Sequence, residues 1–243
     1  MRLLLKIFLY CIASVVLLVA GGLLWFVYYS RDLPDTRSLA QFAPTTVTQV
    51  SDPCLEGPSI AIPYDLIGSN LRNALNAVEV GENDPGVLAE TYRAFTDQTH
   101  LHRATLSMQI SRTLFCTPSR MLRRQLDRFR MSEHLERRFS RRDLFTIYAN
   151  RVYFGENLVG VHNASQYFFH KNPSELDLAQ AALVAGLVRS PSRYSPLRHP
   201  DRVLQRRNEV IDAMTANGSA SSAQGESAKA AALGVVADTT GAK

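Results

Sequence analysis

The sequence predicts a mainly α-helical domain with minimal strand content, preceded by one N-terminal apolar helix. Residues 7–29 contain no charged residue, and much of the chain from 64 to 214 has apolar residues at three- and four-residue steps. Only "TTVTQVSD" (45–52) and "SIAIP" (59–63) fit short strands. We therefore divide the chain into an N-terminal anchor, a linker with a short strand region, a folded domain and an Ala/Ser/Gly-rich tail, over 1–31, 32–58, 59–214 and 215–243.

The apolar segment from Ile7 to Tyr29 is long enough to span a membrane. As a helix it would extend about 35 Å, against about 30 Å for the hydrocarbon core of a bilayer. A cleaved signal peptide is the alternative, although its apolar region would have only about 7–15 residues. Arg2 and Lys6 precede the segment, and the charges that follow it cancel. We expect a single-pass transmembrane helix with a cytoplasmic N-terminus and the domain outside the cytoplasm. In a bacterium this would be the inner (cytoplasmic) membrane, with a periplasmic or extracellular domain.

The basic residues are concentrated in one stretch. The chain has a formal net charge of +5, and nine arginines lie between Arg120 and Arg142. Two interpretations stay open: a solvated helix face balanced by nearby acids, or guanidinium groups for phosphate or an anionic membrane surface. No nucleic acid is expected as a partner, because the domain is expected outside the cytoplasm. Cys54 and Cys116 either form a disulfide there or remain separate thiols.

Start signals predict the order of the helices. Apolar spacing predicts helical structure after Pro63, and Thr117-Pro118 predicts the start of a helix that runs to about Arg138. Ser140 and Asp143 have the spacing of a capping box, which predicts another helix start. The tail from 215 has no aromatic residue and is expected to be disordered. Further helices are predicted over 160–169, 177–188 and 200–214.

The segment from Tyr148 to Pro196 carries a specific pattern: YANRVYFG, then GV, YFFHK, LAQAALVAGL and PSRYSP. It resembles the peptidoglycan glycosyltransferase domain of family 51, found in class A penicillin-binding proteins and monofunctional transglycosylases. The likeness covers about residues 60–214. It implies a lysozyme-like helical transglycosylase domain that polymerises lipid II, an undecaprenyl-pyrophosphate disaccharide-pentapeptide. Implied partners are lipid II or the nascent glycan strand, the membrane and other cell-wall synthesis proteins. No transpeptidase domain is expected after Met214.

The resemblance implies one catalytic glutamate. In the family a glutamate takes a proton from the acceptor's 4-hydroxyl group, which then attacks the donor's anomeric carbon with inversion. Glu79 occupies that position in an alignment without gaps, and two interpretations stay open: a general base in a cleft, or a helix-end acid without chemistry. Glu82 and Asp84 are expected to be exposed loop acids. The rest of the family's motif E-D-x-x-F-x-x-H-x-G is replaced here by Val80, Asn83, Gly86 and Leu88.

The remaining site residues fall in two altered motifs. The family's G-x-S-T-x-T-Q-Q becomes HRATLSMQ, in which Thr105 and Gln109 match, and Arg112 follows. In the R-K-x-x-E motif Arg124 matches, but Arg128 replaces the second catalytic carboxylate. The resemblance implies that these five residues bind substrate or pyrophosphate. The family often uses a divalent cation, but the carboxylate expected to hold it is missing here, so no metal site is predicted.

Three hypotheses follow. The chain is a monofunctional glycosyltransferase weakened by its altered motifs, or a pseudoenzyme that binds lipid II or glycan, or scaffolds wall-synthesis proteins, without polymerising. The third is a tethered interaction domain with an empty cleft. Among neighbouring residues, we expect Gln109 to contact sugar and Asn150 to buttress a buried turn. A set of aromatic residues is expected in the core: Tyr153, Phe154, Phe168 and Phe169.

Overall fold

A computed structural model of the protein describes five stretches of the chain, residues 2–29, 36–51, 59–80, 105–114 and 121–236. They belong to two compact units, Met1–Asp35 and Thr36–Lys243. The first unit contains helix α1, Arg2–Tyr29. Across the described residues, no helix meets the combined length and hydropathy that a membrane crossing requires. The predicted transmembrane anchor is therefore not confirmed by the structure.

The second unit is mainly helical, with one two-stranded sheet. Strands β1 (Thr48–Val50) and β2 (Ser59–Ala61) pair antiparallel, with Gln49 opposite Ile60. Short 3-10 segments lie at Arg37–Phe42, Tyr64–Ile67 and Pro173–Glu175. The helices are α2 (Ser69–Leu75), α3 (Leu106–Leu114), α4 (Met121–Arg138), α5 (Arg141–Arg151), α6 (Val161–Phe169), α7 (Leu178–Leu187), α8 (Pro200–Ala216) and α9 (Ser222–Ala230). This confirms the predicted mainly α class and both predicted strands.

Helix α7 forms the centre of the second unit. Eight of its ten residues are buried, and it packs against α2, α6, α8 and α9. Its small residues allow close approach: a Cβ added at Gly186 would lie 3.1 Å from the Arg206 side chain of α8. Asp177 caps α7 by accepting a hydrogen bond from the Gln180 backbone N–H. An apolar helix of this kind must be enclosed on all sides, so the neighbouring helices surround it.

The predicted start signals have the expected structure. Ser140 and Asp143 form the capping box that begins α5, and Pro200 is the first residue of α8. The helical structure predicted after Pro63 is interrupted at Gly68, which has a φ of +73°. A Cβ there would lie 2.7 Å from the Pro173 carbonyl oxygen, so this close turn favours glycine. The result is a 3-10 turn, then α2, then a π-helical turn over Asn76–Val80.

The sequence predicts a linker with a short strand over 32–58; the strand is present as β1, but the linker part is corrected by the structure at Arg37–Phe42. Leu39 and Phe42 are fully buried, and the Arg151 guanidinium lies 4.9 Å from the Phe42 ring centroid. A linker would leave these two side chains exposed to solvent. The two apolar side chains, three residues apart in a 3-10 turn, instead bind the segment to α5.

The disorder predicted from residue 215 is also corrected, as far as residue 236. Helix α9 begins with a capping box of Ser221 and Gln224. The buried Arg207 guanidinium donates hydrogen bonds of 2.7 Å to the carbonyls of Lys229 and Ala231, which end that helix. Contacts with α8 thus order a segment whose Ala/Ser/Gly-rich composition predicted disorder. Residues 237–243 of the tail lie outside the described part of the chain.

The aromatic predictions are confirmed with one exception. Phe154, Phe168 and Phe169 are buried. Tyr153 is 47% exposed, so its predicted core position is wrong. It forms an antiparallel bridge with Val159. Because side chains alternate between faces along extended backbone, Tyr153 faces outward where Phe154 is buried.

Asn150 joins three segments from inside the unit. Its Oδ1 accepts a hydrogen bond from the Ile62 N–H at 3.1 Å, and its Nδ2 donates to the carbonyls of Phe42 and Ile62 at 2.9 Å each. The side chain is fully buried. The predicted buttressing role of Asn150 is confirmed.

Replacing this amide should destabilise the fold strongly. Asn150→Leu leaves the Ile62 and Phe42 backbone groups without these buried bonds, so the free energy of unfolding should fall by about 2–4 kcal/mol. Urea denaturation measures the change. Asn163→Leu, at a half-buried position on α6, is the matched control and should cost under about 1 kcal/mol. Equal losses in the two variants would contradict the role of Asn150.

The contact between α9 and α8 should be sensitive to a single added side chain. A Cβ at Gly225 would lie 2.7 Å from Thr215 Oγ1, so Gly225→Val should lower the free energy of unfolding by about 1–3 kcal/mol. Ala223→Val, on the exposed side of α9, should cost about 0.5 kcal/mol from helix propensity alone. Hydrogen exchange of the α9 amides should accelerate in the first variant only. An unchanged exchange rate in Gly225→Val would be evidence against the close packing.

Candidate functional site

Helices α3 and α4 carry most of the predicted site residues. Gln109 and Arg112 lie on α3, and Arg124 and Arg128 lie on α4. The two helices pack directly against each other. The structure therefore brings the second and third motifs together, although the side chain of Arg124 lies outside the described part of the chain.

Glu79 lies in the π-helical turn that follows α2. Its side chain is outside the described residues, and so are Glu82 and Asp84 in the segment that follows. That the Glu79 carboxylate faces the arginines of α3 and α4 stays a prediction. Cys54 and Cys116 are also outside the described residues, so the proposed disulfide stays untested.

Thr105 occupies the start of α3. Its hydroxyl accepts a hydrogen bond from the Met108 N–H at 3.3 Å, and its carbonyl accepts one from the Gln109 N–H at 3.0 Å. The residue is only 2% exposed, and its hydroxyl also lies 2.9 Å from Ser107 Oγ. In this structure the Thr105 hydroxyl caps the N-terminus of α3. Its predicted contact with substrate stays a prediction.

The other predicted binding residues differ in exposure. Arg112 is exposed, whereas Gln109 and Arg128 are half-buried. The Arg128 carbonyl accepts a 2.7 Å hydrogen bond from Ser132 Oγ within α4. A guanidinium keeps its charge at any ordinary pH, so these arginines can attract an anionic group but cannot accept a proton. Within the described residues, no group of three or more His, Cys, Asp or Glu side chains could hold a metal ion.

The contact between α3 and α4 is lined by hydroxyl groups and one carboxylate, which we call the hydroxyl seam. Its members are Ser107, Ser111, Ser132 and Glu136. Ser107 Oγ donates to Glu136 Oε1 at 2.5 Å, and the three serines are no more than 1% exposed. Sequence analysis missed this seam. The signal was present as a four-residue spacing of polar residues on the inner face of each helix.

A cavity and ion-paired arginines lie around the start of α5. A cavity of about 400 Å³ is lined in part by Tyr64, Asp65 and Arg142. Arg142 forms a 2.5 Å ion pair with Asp65, and its guanidinium lies 4.6 Å from the Tyr64 ring centroid. Arg137 likewise pairs with Glu133. At this end of the arginine run, exposed arginines are balanced by nearby acids, which favours the solvated-face interpretation there.

Comparison with known proteins assigns the family. A protein-family model described as transglycosylase matches residues 57–215 of the chain. The chain belongs to the transglycosylase family, glycosyltransferase family 51. This confirms the resemblance inferred from the sequence pattern.

The relatives of this transglycosylase chain are longer proteins. It is 30% identical to penicillin-binding protein 1A of Aquifex aeolicus over 221 residues, covering 84% of this chain and 30% of that protein. It is also 30% identical to penicillin-binding protein 1A of Rickettsia felis over 227 residues, covering 85% and 29%. A crystal structure of penicillin-binding protein 1A from Haemophilus influenzae matches with 20% identity and a TM-score of 0.47, over 76% of this chain and 19% of that one. The chain thus spans less than a third of each of these proteins.

Proposed function

We propose that this chain is a membrane-anchored peptidoglycan glycosyltransferase that binds lipid II and polymerises it slowly. Membership of the transglycosylase family over residues 57–215 is the observation that carries the proposal. The packing of α3 against α4 supports the proposal, because α3 carries Gln109 and Arg112 and α4 carries Arg128. The absence of charge over residues 7–29, within helix α1, supports an inner-membrane anchor with the domain on the periplasmic side.

The proposed reaction joins two sugars and releases a pyrophosphate. The Glu79 carboxylate takes the proton of the acceptor's 4-hydroxyl group. That oxygen forms a bond to the donor's anomeric carbon while the bond from this carbon to the pyrophosphate oxygen breaks. Negative charge then accumulates on the leaving group, where cations stabilise it. Arg112, Arg124 and Arg128 are the residues proposed for this role.

Arg128 is the reason to propose slow turnover. Its guanidinium can offset the charge of the pyrophosphate, but it cannot hold a divalent cation or exchange a proton as a carboxylate can. Loss of a carboxylate that contributes in the transition state commonly costs about 10²–10⁴ in rate. The same substitution favours a second candidate function, in which the chain binds lipid II or glycan and scaffolds wall-synthesis proteins without polymerising.

Incubation of the full chain with fluorescent lipid II in detergent distinguishes these functions. We expect saturable binding and slow formation of glycan polymer. Glu79→Gln should abolish the polymer and keep the dissociation constant within about threefold, because an amide preserves size but accepts no proton. Glu82→Gln is the matched control and should leave the polymer unchanged.

The other outcomes of this experiment decide between the candidates. Binding without any polymer from the wild-type chain would favour the second candidate. Polymer that persists in Glu79→Gln would contradict the catalytic role of this residue. Neither binding nor polymer would contradict both functions.

A further inference from the structure

The hydroxyl seam has the geometry of an antiparallel register. Ser107 meets Glu136, and one turn further along α3 Ser111 meets Ser132, one turn back along α4. A step of four residues forward along α3, from 107 to 111, thus matches a step of four residues backward along α4, from 136 to 132. In this alignment of α3 and α4, Ser107 donates a hydrogen bond to Glu136, and the Ser111 and Ser132 hydroxyl oxygens lie 3.4 Å apart.

The contact of Ser107 with Glu136 is the stronger of the two. Ser111 Oγ and Ser132 Oγ are 3.4 Å apart, and each hydroxyl also donates to a carbonyl of its own helix, Met108 and Arg128 respectively. Ser107 Oγ instead donates across the interface to a carboxylate at 2.5 Å. Hydrogen bonds to charged groups are the stronger class. Of the two seam contacts, the one between Ser107 and Glu136 is therefore the stronger.

A directional contact fixes the register in a way that hydrocarbon packing does not. Apolar contact depends mainly on the area buried and little on direction. If α3 moved by one turn along α4, the buried Ser107 hydroxyl would lose the half-buried Glu136 carboxylate and keep only its contact with Thr105 within α3. Losing a hydrogen bond to a charged acceptor is costly, so the observed register is favoured over its neighbours.

The register determines how the predicted binding residues are spaced. Arg112 follows Ser111 directly on α3, and Arg128 lies one turn from Ser132 on α4. Thr105 extends the same network, because its hydroxyl contacts Ser107 and caps the first turn of α3. The seam thus influences where α3 begins. It also sets the position of Arg112 on α3 relative to Arg128 on α4.

We propose that Glu136 is a positioning residue that, through Ser107, sets the spacing of Arg112 and Arg128 for the pyrophosphate of the substrate. This inference rests on the proposed function. Glu136 itself does not touch substrate in this account. Its carboxylate acts on binding only through the alignment of α3 with α4.

Binding of fluorescent lipid II by full-length variants tests the consequence for the site. Glu136→Leu removes the acceptor of the Ser107 hydroxyl and should raise the dissociation constant about tenfold, as expected for loss of one charge-assisted hydrogen bond. Ser107→Ala should have a similar effect, and the double variant should be no weaker than Glu136→Leu alone. Glu136→Gln keeps an oxygen acceptor and should stay within about threefold of the wild type.

Two controls separate positioning from general stability. Glu133→Leu removes a carboxylate from the same helix that pairs with the exposed Arg137, and should leave the dissociation constant within about twofold. Gly225→Val lowers the melting temperature through the distant α9 contact and should leave lipid II binding unchanged. If Glu136→Leu behaves like Gly225→Val, with lower stability and unaltered affinity, the positioning role is overturned.

A distance measurement tests the register without lipid II. Spin labels at residues 112 and 137, two exposed positions on α3 and α4, report the alignment in a chain whose cysteines are replaced by serine. We expect a narrow distance distribution that shifts or broadens in Glu136→Leu and is restored in Glu136→Gln. An unchanged distribution in Glu136→Leu overturns the inference, even if the wild type binds lipid II. Failure of the wild type to bind lipid II would instead contradict the proposed function, and the distances would still decide the register.

Discussion

The buried amide of Asn150 is the constraint on which the arrangement of the second unit depends. Its three hydrogen bonds hold the backbone at Phe42 and Ile62 against α5 in a buried region. The chain continues from Ile62 through the turn at Gly68 and into α2 and the π-helical turn that contains Glu79. The direction of the segment that leads to the proposed general base is therefore set by one side chain far along the sequence.

Polar contacts also position helices α3 and α4, which carry the predicted binding residues. The buried residues of α7 are all apolar, and their burial supplies free energy without strong direction. The helices that carry the predicted binding residues share, besides their buried apolar residues, the hydroxyl seam in which Ser107 donates a hydrogen bond to Glu136. Apolar packing thus stabilises the body of the fold, while buried hydrogen bonds determine where its proposed functional groups lie.

Sequence signals predicted the parts of the fold that depend on local chemistry. The capping box of Ser140 and Asp143 acts within its own helix, so its effect could be foreseen. The turn at Arg37–Phe42 and helix α9 could not be foreseen, because their order comes from distant partners such as Arg151 and Arg207. For the site, family resemblance identified its residues, but the seam that aligns α3 with α4 required the structure.

The central claim is that a transglycosylase scaffold is retained here around an altered catalytic centre, with a guanidinium where the family has its second carboxylate. Glycan polymer formed by Arg128→Glu, compared with the wild-type chain at equal lipid II occupancy, tests this most directly. With a divalent cation present, we expect the restored carboxylate to increase the rate of polymerisation by roughly 10² or more, as for one carboxylate that contributes in the transition state. A rate that stays the same or falls in Arg128→Glu would contradict it.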